Sequence, residues 1–189
     1  MRSHGRNSRN PLLAPCAATA VSVLLGATAL AAESQHDFVL TAYSNSRGGP
    51  ELISGDFAAA TKVLSHVAPT FALQTSTTSN NRCVALAVTK QWDAARAACD
   101  QAVRDAQLDK INLPSYQYSA RRNQDEYLAI ALSNRAVLHW MSSESEAAAS
   151  DLKRAQALSP SSASVMQNAQ ALEQSRTSLA RVDVAPASP

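Results

Sequence analysis

The chain has 189 residues with 17 Lys and Arg against 15 Asp and Glu, a length that suits one domain of ordinary size. Three of the basic residues, Arg2, Arg6 and Arg9, fall in the first ten positions, so a chain without residues 1–31 would carry 14 basic against 15 acidic groups, a formal charge of −1. That near-neutral balance removes the electrostatic case for nucleic acid or an anionic membrane as a partner.

The basic start is followed by an apolar run over 11–32 and by the small-residue exit Ala29-Leu30-Ala31. Together these describe a secretory signal peptide, with cleavage expected after Ala31 and a destination in the periplasm or outside the cell. The densest apolar stretch, 17–32, is short for a span of about 20 residues, and no later run is long or apolar enough to insert. Leu13-Ala14-Pro15-Cys16 faintly resembles a lipoprotein box, but Pro15 is a poor neighbour for a modified Cys and most of the apolar region follows Cys16. Cys83 and Cys99 remain after processing. An even pair in an oxidising compartment reads as a disulfide, and no Cys or His spacing suits a metal.

Residues 32–50 read as a flexible lead-in, containing Ser, Asn, Gln and the breaker Arg47-Gly48-Gly49-Pro50. From residue 51 onward the chain is Ala-rich with a helical period, and strand signals are weak. Helices are predicted over 51–66 with a break at Gly55, and over 77–89, 92–106, 125–141 and 144–158, with a sixth from after Ser162 to near residue 180. Asp125 and Glu126 suit a helix N-terminus. Residues 110–124, around Pro114, read as a connection, and 181–189 as a disordered tail.

Two stretches repeat. Asn81 is followed after 14 residues by Ala95 and after seven more by Ala102; Asn134 stands in the same relation to Ala148 and Ala155. Small residues at such positions let antiparallel helix axes approach closely. Asn168 lies 34 residues after Asn134, and Gly55-Asp56-Phe57-Ala58-Ala59-Ala60 has the look of a turn leading into a second helix. On these residues the chain resembles the tetratricopeptide repeat family, whose unit is about 34 residues of paired helices; the likeness covers about 51–173 within a repeat domain of 51–180. It departs from the family in having Lys90 and Ser143 where a turn glycine is usual, and 53 residues between Asn81 and Asn134.

The resemblance implies an all-α fold of antiparallel helix hairpins in a short right-handed superhelical array. It further implies that Asn81, Asn134 and Asn168 hold an extended peptide's backbone in a concave groove, since an amide donates and accepts together. Ser133, Val137, Trp140 and Met141 would line the same face, with Trp140 serving either as a groove anchor or as packing against the next helix. In this frame Cys83 and Cys99 sit on facing helices within bridging distance.

No phosphate-cradling loop, zinc-type histidine pair, nucleophile elbow or Cys-x-x-Cys is present. His36, His66 and His139 are isolated, and no enzyme activity, cofactor or metal is expected. Tyr116-Gln117-Tyr118-Ser119-Ala120-Arg121-Arg122 mixes aromatic and basic groups that could stack bases or clamp a carboxylate, but a solvated loop is the simpler reading. The favoured function is a protein-interaction scaffold or adaptor binding a partner's peptide or helix. The alternative is a structural subunit stacking end to end, with self-association open.

Overall fold

The computed structural model describes residues 38–65, 76–111 and 118–182. The predicted signal peptide, Cys16, His36, His66, Pro114, Tyr116 and the part of the predicted tail beyond residue 182 lie outside them. Within them the chain is all-helical, with α1 Gly49–Ile53, α2 Phe57–Ser65, α3 Ser76–Val88, α4 Trp92–Ile111, α5 Tyr118–Met141, α6 Ser145–Leu158 and α7 Ala163–Val182. No helix among these residues is long and apolar enough to cross a membrane.

Each helix buries the face its period dictates. On α4 the buried residues are Ala95, Ala98, Cys99, Ala102, Val103 and Ala106; on α6 they are Ala148, Asp151, Leu152 and Ala155. These are three-and-four spacings, one stripe of a 3.6-residue turn. By contrast α3 is buried almost throughout, including Ser76, Ser79, Asn80 and Asn81. Its polar N-terminal turns are tolerable inside because each finds a partner. Ser79 Oγ donates to Asp105 Oδ2, and the Ser76 N–H donates to Asp109 Oδ2 at 3.3 Å, which also sets two carboxylates of α4 against the positive end of the α3 dipole.

Two elements start earlier or end later than the sequence suggests. The helical stretch predicted over 51–66 begins at Gly49, with the expected break at Gly55, and α5 begins at Tyr118. Asp125 and Glu126 therefore lie inside α5, not at its start, and the connection predicted over 110–124 is helical at 110–111 and 118–124. Helix α2 is capped by a side chain: Asp56 Oδ1 accepts the Ala59 N–H at 3.0 Å.

Three hairpin turns are built alike. Gly55, Lys90 and Ser143 have φ of 80°, 58° and 63°. In each turn the residue after it donates to a carbonyl five back: Asp56 to Glu51 at 2.9 Å, Gln91 to Leu86 at 2.9 Å and Glu144 to His139 at 2.8 Å. This left-handed cap satisfies the last carbonyls of the preceding helix. Five residues beyond each turn stands an alanine with no exposed surface, Ala60, Ala95 and Ala148. Ala102 and Ala155, seven residues further along α4 and α6, are equally buried.

A side chain in the left-handed region costs about 1–2 kcal/mol, partly offset by the freedom glycine gives the unfolded chain. Lys90→Gly and Ser143→Gly are each expected to raise the unfolding free energy by about 0.5–1 kcal/mol, read as a higher urea midpoint. Gly55→Ala should lower it.

The α5–α6 turn also carries a charge cluster. Arg96 of α4 donates from both terminal nitrogens to Glu144 at 2.9 and 2.6 Å, and His139 Nδ1 lies 2.6 Å from the same carboxylate. The Arg96 hydrogen bonds, reinforced by His139, hold the Glu144 carboxyl down at about 2, below its ordinary 4.5. A carboxyl whose folded value is depressed stabilises the fold above its ordinary value and loses that contribution as pH falls through the lower one. The difference in melting temperature between the parent and Glu144→Gln should therefore shrink from pH 5 towards pH 2. Scanning calorimetry across that window checks it; the pair is exposed, so the difference is modest.

Helix α5 organises the molecule, packing against α3, α4, α6 and α7. The largest core cluster includes Cys83, Cys99, Leu128, Leu132 and Val165. Cys83 and Cys99 are joined as a disulfide across the α3–α4 hairpin, with Cα atoms 4.6 Å apart.

Candidate functional site

The sequence reads 32–50 as a flexible lead-in, but the structure differs over 38–47. Residues 38–43 form an extended segment laid across α3, α5 and α7 and pinned there by asparagine side chains. Asn168 of α7 accepts the Val39 N–H at 2.7 Å and donates to the Val39 carbonyl at 2.8 Å. Asn134 of α5 does the same for Thr41, at 2.8 and 2.9 Å, and Asn81 of α3 for Tyr43, at 2.7 and 2.9 Å. The segment thus crosses the helices in the order α7, α5, α3, opposite to their order along the chain.

The three-way match has a geometric cause. In an extended chain the N–H and C=O of one residue point to the same side, and the pattern recurs every second residue, about 6.6–6.8 Å on. One amide supplies an acceptor and a donor side by side, so each asparagine brackets one residue. The remaining amide hydrogens are also used. Asn134 donates to Asn80 Oδ1 at 2.9 Å, Asn168 to Ser133 Oγ at 2.9 Å and Asn81 to the Arg47 carbonyl at 3.2 Å. Asn80 in turn gives the Thr41 carbonyl a second bond at 2.8 Å. All three bracketing asparagines have no exposed surface, so an unfilled groove would leave these amides without partners, at about 1–3 kcal/mol each unless water replaces the peptide.

The segment's side chains add contacts at both ends. Phe38 stacks at a tilt on Trp140, ring centroids 5.8 Å apart, within the cluster of Ala136, Ala148, Leu152 and Leu172. Leu40 packs against the two larger core clusters, and Ala42 against the one containing Leu52, Leu64, Val84 and Ala85. Tyr43 meets the edge of Tyr127 at 5.3 Å. Burial, with Tyr127 and Glu126 adding repulsion, pushes the Tyr43 phenol well above its ordinary range. The chain then turns into α1 through Gly48 and Gly49: Gly48 has φ of 76°, and a Cβ on Gly49 would collide with the Tyr43 carbonyl.

Of the residues predicted for the groove, Asn81, Asn134 and Asn168 come together along the extended segment 38–43, and Ser133 supports the third of them. Trp140 is half-buried and meets Phe38, joining groove and core at once. Val137 is 2 % exposed, inside the fold, and Met141 is 57 % exposed at the last position of α5, outside the ladder of amide bonds. Sequence reasoning missed Asn80, Tyr127 and the segment itself. The signals were two adjacent asparagines and Phe38-Val39-Leu40-Thr41-Ala42-Tyr43, a run of apolar, β-branched and aromatic residues. Among the described residues no group of three or more His, Cys, Asp or Glu is arranged to hold a metal ion. Compared with family models, curated proteins and solved structures, the chain matches none.

Proposed function

We propose that the chain is a tetratricopeptide-type array, α1–α2, α3–α4 and α5–α6 being paired units and α7 a closing helix. On this reading it acts as a non-enzymatic adaptor of the cell envelope that clamps an extended segment of a partner protein by its backbone. The repeat reading is supported by the three like-built turns at Gly55, Lys90 and Ser143 and by the buried alanines that follow each of them. An envelope location draws on the signal-like start of the sequence and fits a disulfide between Cys83 and Cys99. The observation that carries the functional reading is the amide ladder, in which Asn81, Asn134 and Asn168 each bracket the N–H and C=O of one residue of an extended chain. Contacts of that kind read shape and direction and tolerate many sequences, as an adaptor requires.

The test uses displayed random peptides and the full chain carrying Thr41→Pro, which removes the N–H that Asn134 accepts and loosens the resident segment. Peptides retained by this chain should be lost when Asn134→Ala and Asn168→Ala are added. Retention that ignores both asparagines, or no retention at all, ends the reading.

A further inference from the structure

The groove is already filled, and the way it is filled says what else it accepts. This inference rests on the backbone-clamp reading and adds to it the identity of the ligand. The resident segment divides its work between its two faces. Backbone bonds come from Val39, Thr41 and Tyr43, whereas the intervening Phe38, Leu40 and Ala42 pack on the helices' apolar clusters. The three inward positions are not equivalent. Phe38 lies on the Trp140 ring, which favours an aromatic partner. Leu40 reaches both large core clusters and needs an unpolarised side chain of medium size. Ala42 packs on the cluster of Leu52, Leu64, Val84 and Ala85, which a methyl group already meets.

We infer that residues 38–43 are a built-in competitor, and that the groove takes from a partner an extended segment of the pattern aromatic–x–aliphatic–x–small, running from α7 towards α3. Occupancy by the chain's own segment fixes both features. A peptide that replaces it meets the same Trp140 platform, the same apolar clusters and the same three amides. A tethered segment competes at a high effective concentration, so the intact chain binds such a ligand weakly and binds it well only when the segment is released.

Two labelled peptides test this against the full chain and its Thr41→Pro form. One carries the resident order, DFVLTAYS; the other, DAVTLFYS, has the same composition but presents aromatic–x–aliphatic–x–small in no register. Fluorescence anisotropy should show the first peptide bound at least about tenfold more tightly than the second by the Thr41→Pro chain. The unaltered chain should bind it at least about tenfold more weakly than the loosened one does. Equal affinities for the two peptides overturn the pattern while leaving the backbone clamp standing. Equal binding by the two chains overturns the competitor. Failure of both peptides, with asparagine-dependent library binders in hand, overturns the inference alone; failure without such binders takes the clamp reading with it. Phe38→Ser serves as a second loosened form should Thr41→Pro lose its helical circular dichroism.

Discussion

Replacing Arg135 by Ala is expected to lower the unfolding free energy by about 3–5 kcal/mol, the range for breaking a buried ion pair by removing one partner. Arg135 on α5 donates from Nε and Nη2 to both oxygens of Asp151 on α6, at 2.7 and 2.8 Å, and from Nη1 to Asp100 on α4 at 3.0 Å. One guanidinium therefore ties three helices, and the planar fork makes the Asp151 contact bidentate. Those hydrogen bonds push the Arg135 guanidinium still further above its already high ordinary value. Asp151 is 4 % exposed. Without Arg135 the Arg154 guanidinium still stands 3.9 Å from Asp151, so the loss should fall near the lower end. Urea unfolding followed by circular dichroism reads it. The double variant Arg135→Leu, Asp151→Leu should recover most of the loss, because an apolar pair needs no charge partner. A single variant within about 0.5 kcal/mol of the parent would show that the network contributes little.

The second large effect is the disulfide. Cys83 and Cys99 are separated by 16 residues, and closing a loop of that size stabilises by about 3 kcal/mol in the chain-entropy account. For a domain of this length that corresponds to a fall of roughly 6–12 °C in melting temperature on reduction. The sulfurs lie in the main core cluster, with Cys83 1 % and Cys99 0 % exposed, so reductant reaches them only through opening of the fold. Reduction of the folded protein should accordingly be slow and become fast in urea. Alkylation in urea without reductant should leave the mass of this pair unchanged; two added groups there would rule the bridge out. Because Asn80 and Asn81 stand on the same helix as Cys83, the Cys83→Ala, Cys99→Ala form should also show weaker protection of the Tyr43 amide against hydrogen exchange.

Much of this protein was legible before any coordinates, because helices announce themselves through local periodicity. The alanine stripes of α4 and α6, the break at Gly55 and the close of α6 before Pro160 are all properties of neighbours along the chain. The pairing of Cys83 with Cys99 followed from an even count and a hairpin. Asn81, Asn134 and Asn168 were visible as a recurring register, and it is these three that bond segment 38–43.

Tertiary structure alone decided what the groove contains. The bonds that hold the segment 38–43 are long-range: Val39 bonds to a side chain 129 residues away and Thr41 to one 93 residues away. A strand that pairs with amide side chains instead of another strand leaves no partner strand in the sequence. Amid Ser, Asn and Gly it looked like slack chain. The Arg135 network was hidden for the same reason, since Asp100 and Asp151 become its partners only when α4 and α6 flank α5. Lys90 and Ser143 take a left-handed turn because the hairpins close around them, against their own preference. Local pattern determined which faces of the helices are apolar and where the asparagines stand. The long-range packing, which no local period encodes, determined that those asparagines close on the chain's own segment 38–43.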